Sequence, residues 1–196
     1  MSRFEQLDEL MLNQGQNERF RLGTTLTVGT CLAPALIGEL EQSLTGLEVY
    51  SFVSNTHEIE EKLLKSELDA AVVEGEIQSP DLVVIPIIED CLVLGCGSRH
   101  PLFWKKIQIS NSELNGQCFA MREQGSGTRQ LFEDYVKRHH ISIKVTWEAN
   151  CPRTIINAVI WNKVLSVMSL RLLTHELAHE KFRVFYDEKS GMEPQI

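Results

Sequence analysis

Two stretches of the chain place small polar residues where a strand gives way to a helix. One is Gly29-Thr30-Cys31, the other Arg122-Glu123-Gln124-Gly125-Ser126-Gly127-Thr128-Arg129. A helix N-terminus presents unpaired N–H groups and a partial positive charge, so such a junction suits a carboxylate, sulfate or phosphate. In the second stretch Gly125 and Gly127 let the backbone approach a ligand, while Ser126 and Thr128 supply hydroxyls; the same residues also suit a tight turn capped by Thr128. Arg122 and Arg129 flank this turn and can pair with an anion or with neighbouring carboxylates. Arg122, directly after the strand, is the better placed of the two.

Three other patterns could do chemistry. His175-Glu176-Leu177-Ala178-His179 fits His-Glu-x-x-His, in which two histidines one helical turn apart bind zinc and the glutamate activates water. A third ligand is wanting, because Phe182 and Phe185 stand where the extended motif has Gly and His, leaving only Glu188 or Glu193. The bland alternative is a surface helix. Cys31, read at a helix N-terminus, suits either an oxidant-sensing thiolate or a small residue lining a cleft, and the absence of a basic neighbour favours the second. His139-His140 reads as a solvated helix end. Neither a Ser-His-Asp order, nor a Walker motif, nor a dinucleotide fingerprint is present, so no enzyme, cofactor or metal is expected.

The elements that must position these residues alternate. Residues 4 to 20 have helix-like apolar spacing that fades into a polar linker. Strands are predicted over 26–30, 47–53 and 68–73, with helices over 33–44 and 56–65; Asn55 and Glu58 have capping-box spacing. An apolar run over 82–88, broken by Pro86, closes this half. The pattern restarts with strands over 92–94, 119–121, 143–147 and 164–168 and helices over 128–140 and 153–161. Strands alternating with helices argue for mainly parallel sheets, and the restart for two α/β lobes.

Composition bounds what such a protein does. At 196 residues with 43% hydrophobic and 23% charged residues, the chain can build a core and is not a disordered or low-complexity sequence. Its formal charge of −8 repels a phosphate backbone, which argues against DNA contact by this chain itself. Five cysteines without a Cys-x-x-Cys pair fit reduced thiols in a cytoplasm; no apolar run is long enough for a bilayer, and no export signal is read.

Five segments in register then resemble one family. They are Gly29-Thr30 to Leu44, Glu67 to Gly75, Glu89 to Leu94, Arg99-His100-Pro101-Leu102 and the Gly125-Ser126-Gly127-Thr128-Arg129 turn. Together, from about residue 22 to residue 186, they resemble the effector-binding domain of LysR-type transcriptional regulators. The resemblance implies two Rossmann-like α/β lobes joined by two crossover strands, as in type 2 periplasmic binding proteins, with a small, anionic metabolite held between them. Lobe I would comprise 22–88 plus 167–196 and lobe II 89–166, after a connecting-helix and linker remnant over 1–21. Effector contacts would come from Thr30 and Cys31, from Asn55 and Thr56, and from Ser126, Gly127 and Thr128, joined by Arg122 on the strength of its place after the strand.

The resemblance further implies an antiparallel homodimer, for which the apolar positions of the helix over 56–65 are the expected surface. DNA would be reached only through an N-terminal winged helix-turn-helix, for which this chain has no room. Trp161-Asn162-Lys163-Val164 departs from the glycine-containing turn usual before the returning strand and would alter the cleft at that edge. The alternatives from other classes are a zinc-dependent hydrolase using His175, Glu176 and His179, and a cytoplasmic solute-binding protein, which the lack of an export signal disfavours.

Overall fold

The computed structural model describes residues 19–104 and 108–187. The helix expected within 4–20 falls outside them except for its last two residues, as do Glu188 and Glu193; residues 19–21, expected to belong to the linker, instead open the first strand.

Two sheets organise the chain. Strands β1 (Arg19–Thr25), β2 (Glu48–Ser54) and β3 (Ala70–Val72) form a parallel sheet of order β2-β1-β3. Between them run α1 (Leu26–Cys31), α2 (Ala33–Ser43) and α3 (Thr56–Leu64). The second sheet contains β4 (Leu92–Gly97), β5 (Gln108–Ile109), β6 (Cys118–Arg122), β7 (Lys144–Ala149), β8 (Leu165–Ser169) and β9 (Phe182–Asp187), in the order β5-β9-β4-β8-β6-β7. Its helices are α4 (Asn111–Leu114), α5 (Gly127–Arg138), α6 (Pro152–Trp161) and α7 (Thr174–Ala178).

Alternation along the strands of the second sheet divides its apolar residues between two faces, since successive side chains of a strand point to opposite sides. Leu94, Phe119, Met121 and Leu165 join Phe132 and Val136 of α5 in one cluster, while Val93, Ala120 and Met168 join Ile155, Ile156 and Val159 of α6 in the other. Thus both faces are covered, as a sheet with apolar residues in both registers requires. In the first sheet Leu22, Ile59 and Leu68 are buried. Gly23 lets α3 pack close: a Cβ there would lie 2.7 Å from Leu68 Cδ1 and 3.1 Å from Ile59 Cγ2.

Three expectations change. The predicted strand over 26–30 is helical, because β1 already ends at Thr25. Thr27-Val28-Gly29 looks β-rich, yet Gly29 in a helix is explained by packing, as a Cβ would stand 2.9 Å from Val53 Cγ1. The run over 82–88 forms no strand; it passes from β3 toward β4 with Val83 89% and Ile87 63% exposed. Finally, within the stretch from 167 expected to return to lobe I, β8 and β9 both pair antiparallel with β4 and so are strands of the second sheet. An apolar run reveals a strand but not which edge it joins. Here Gly95 makes room for Phe182 beside β4, where a Cβ would overlap the ring.

Gly38, inside α2, has open space around it, with nothing within 4 Å of the point a Cβ would occupy. Gly38→Ala is therefore expected to stabilise the protein by about 0.5–1 kcal/mol, read as a higher urea midpoint with an unchanged slope.

Candidate functional site

The carboxyl end of β1, the N-terminus of α5 and the end of β8 meet between the two sheets. Thr24, Thr25 and Thr27 come from the first, Ser126, Gly127 and Thr128 from the second, and Ser169 from the third; all but Gly127 are among the most buried polar residues of the chain. Thr27, Arg122, Thr128, Pro152, Val167 and Ser169 contribute to the walls of a cavity of about 10 Å³. Thr27 also lines an adjoining cavity of about 60 Å³ with Val72, Glu74, Ile87, Asp90 and Arg171. These volumes hold water-sized groups, so a metabolite enters only when the surrounding segments move apart.

Beside the cavities the two halves are clamped. Thr56 Oγ1 accepts from Gly127 N at 3.2 Å and donates to the Glu74 carbonyl at 3.0 Å, and His57 N donates to the Gly125 carbonyl at 3.2 Å. Gly75, at φ +86°, faces Gly127 so closely that a Cβ on it would lie 2.7 Å from Gly127 Cα. Asn55 caps α3 by accepting from Glu58 N at 3.0 Å, the pairing its spacing predicts. Arg122 is buried with its guanidinium forked onto Glu123 at 2.9 and 3.0 Å. Arg129 binds Glu133, Glu148 and the Arg122 carbonyl, holding β6, β7 and α5 together.

Of the eight residues picked from the sequence, Arg122 and Thr128 line the smaller cavity, and Asn55, Thr56, Ser126 and Gly127 surround the clamp. Thr30 and Cys31 line neither cavity, although Cys31 lies within electrostatic reach of Asp90, Glu74 and Arg171. Thr30 is exposed on the last turn of α1, its hydroxyl donating to the Leu26 carbonyl at 2.6 Å. The cause is the early end of β1, which makes Thr25 to Thr27 the junction. Cys31 is half-buried, and burial, with Asp90 and Glu74 nearby, pushes its thiol above the ordinary value, the opposite of a poised thiolate.

Sequence reasoning missed Glu74 and Asp90, although each follows an apolar run and could have been noticed as a carboxylate at its end. Asp90 accepts from Ser169 Oγ at 2.9 Å and pairs with Arg171 Nε at 3.2 Å. Glu74 is only 7% exposed, and Thr25 Oγ1 donates to its Oε2 at 3.3 Å. Burial holds the Glu74 carboxyl above its ordinary value, the Thr27 hydroxyl and Arg122 acting in the other direction. The folded protein thus keeps a proton that the unfolded chain releases, and stability falls as pH rises from the ordinary carboxyl value of 4.5 through the raised one. Comparing wild type with Glu74→Gln from about pH 4 to pH 8 is expected to show the variant gaining in relative melting temperature as pH rises.

The zinc pattern finds another use. Glu176 is 2% exposed and ion-paired with Arg153, and His179 Nδ1 lies 2.8 Å from the His175 carbonyl. Phe182 and Phe185 are core residues of β9. Among the described residues, no three His, Cys, Asp or Glu side chains gather as a metal site. Trp161 stacks under the Arg99 guanidinium at 4.8 Å, before the start of β8, whereas both cavities lie toward the far end of that strand; this departure lines neither of them. Among the described residues no helix is long and apolar enough to cross a membrane.

Comparison with known proteins accounts for this arrangement. The LysR substrate binding domain model matches residues 13–191. The HTH-type transcriptional regulator CysL of Bacillus subtilis is 26% identical over 166 residues, covering 85% of this chain and 55% of that protein. The HTH-type transcriptional activator CmpR of a Synechocystis species is 28% identical over 173 residues, 88% of this chain and 57% of that one. The chain therefore spans about half the length of these relatives. Among solved structures, the Synechocystis PCC6803 CcmR regulatory domain in complex with 2-PG superposes with a TM-score of 0.80 at 29% identity, covering 90% of this chain and 84% of that one. The effector-binding domain of QuiR in complex with shikimate has the same fold, at a TM-score of 0.76 and 20% identity over 89% of this chain and 82% of that one. Sequence and fold agree: the chain belongs to the LysR substrate-binding (effector-binding) domain family.

Proposed function

We propose that this domain senses a small anionic metabolite held between its two halves and passes the resulting shift in their arrangement to an N-terminal winged helix-turn-helix outside this chain, in a cytoplasmic homodimer. The observation that carries this reading is that Thr128 from the first turn of α5, Thr27 of α1 and Arg122 at the end of β6 line one cavity between the halves, beside apolar residues of α6 and β8. CcmR with 2-PG and QuiR with shikimate support it as relatives in fold that hold small molecules. A ligand biases such an arrangement only through its different affinity for the open and closed forms, so binding and response are separate properties. Exposure differs among the apolar positions open to a dimer partner. Ile59 of α3 is fully buried within its own half, leaving Leu64 half-exposed, whereas Val83 to Ile88 is the longer exposed apolar run.

A thermal-shift panel of sulfate, phosphate and small carboxylates tests the reading. A concentration-dependent rise in melting temperature, lost in Thr128→Val, is expected. A panel without any rise in a folded protein sinks the anion assignment. Light scattering that gives the mass of one chain at all concentrations sinks the dimer.

A further inference from the structure

Glu74 is a buried carboxyl for which the protein supplies too few donors. Its Oε2 receives the Thr25 hydroxyl, but its Oε1 is shielded from solvent and has no hydrogen-bond partner among the described residues. A buried oxygen left unsatisfied is costly, so its presence calls for an explanation. The two guanidinium groups of this junction are committed elsewhere, Arg122 to Glu123 and Arg171 to Asp90. Glu74 lines the larger cavity, which is continuous in its walls with the smaller one through Thr27. A molecule whose anionic end sits at Thr128 and Arg122 therefore has its other end past Thr27, at Glu74.

Building on the proposed anion site, we infer that the Glu74 cavity is a subsite for a hydrogen-bond donor on the effector, so that the effector is a small anion also bearing a hydroxyl or ammonium group. Thr27 lines both compartments, and its hydroxyl acts on the Glu74 carboxyl at their boundary. The hydrophobic side chains of Val72 and Ile87 keep this end of the cavity small and disfavour bulk beyond the donor.

Propionate, lactate and alanine differ only in having hydrogen, hydroxyl or ammonium on the carbon next to the carboxylate, and titration of the whole 196-residue chain with each tests the inference. Lactate or alanine is expected to bind about 10-fold more tightly than propionate, the size of one good buried hydrogen bond. Glu74→Leu is expected to remove this preference and leave propionate binding within about 2-fold, whereas Thr128→Val weakens all three. Glu74→Gln, close in volume and the safer variant for folding, separates the donors: an ammonium preference falls with the charge and a hydroxyl preference survives. Equal binding of the three anions by wild type, or a preference that persists in Glu74→Leu, overturns this inference and leaves the anion reading standing, the cavity then holding water. Binding of none of the three overturns this inference, and the anion reading falls with it when sulfate and phosphate also fail to bind.

Discussion

Phe119→Ala is expected to lower the unfolding free energy by about 3–5 kcal/mol, the upper range for deleting one buried side chain. Phe119 is fully buried in β6, between β8 and β7 in the second sheet, with its ring 5.1 Å from that of Phe132 on α5. Leu94, Met121 and Leu165 belong to the same cluster, and all sit on strands whose register is set by the sheet ladder. They cannot collapse into the space left behind without breaking backbone hydrogen bonds, so the cavity persists and its cost adds to the lost transfer energy. Against a total stability of about 5–15 kcal/mol, such a loss leaves a marginal domain. Urea melts followed by far-UV dichroism read it directly. A change below about 1 kcal/mol would mean that α5 moves to refill the site, contrary to the packing of Phe132 on this strand.

Gly127→Val is expected to be the most damaging change to function. A Cβ at this position would overlap the Glu74 carbonyl and stand 2.9 Å from Thr56 Oγ1 and 3.0 Å from Gly75 Cα. Two of these three atoms are backbone, so relief requires the halves to separate, which breaks the Gly127 N to Thr56 and Thr56 to Glu74 hydrogen bonds. Overpacking of this kind costs about 1–3 kcal/mol. The consequence for binding is greater, because Thr128, Arg122 and Thr27 no longer face one cavity and the thermal response to the anion panel is expected to vanish. Gly127→Ala should fall between wild type and Gly127→Val, while Gly38→Ala leaves the response intact. A Gly127→Val protein with wild-type melting temperature and full response would show that the clamp is not what holds the cleft.

The elements that local chemistry dictates were legible in the amino-acid order. Asn55 and Glu58 announce the start of α3, and Gly125 to Arg129 announces the start of α5; capping and turn formation depend on residues within a few positions of one another. The near-continuous apolar runs of β4, β6 and β8 likewise fit a sheet covered on both faces. Where one element ends and another begins was less legible. Leu26 to Thr30 is rich in β-branched residues yet forms the helix α1, with Gly29 close against Val53, so the strand ends at Thr25 and Thr27 is the residue of this segment that lines both cavities.

Residue types and spacing by themselves indicated the α/β class and the glycine turn at 125–129, and five segments in register carried the resemblance to the family. Only the tertiary structure decided that β8 and β9 flank β4, that Glu176 is spent on Arg153, and that Glu74 and Asp90 join the threonines at the junction. The physical reason is range. Periodicity and capping act over one or two turns of chain, whereas an edge choice, a buried ion pair or a cavity wall depends on which distant segments exclude water from one another.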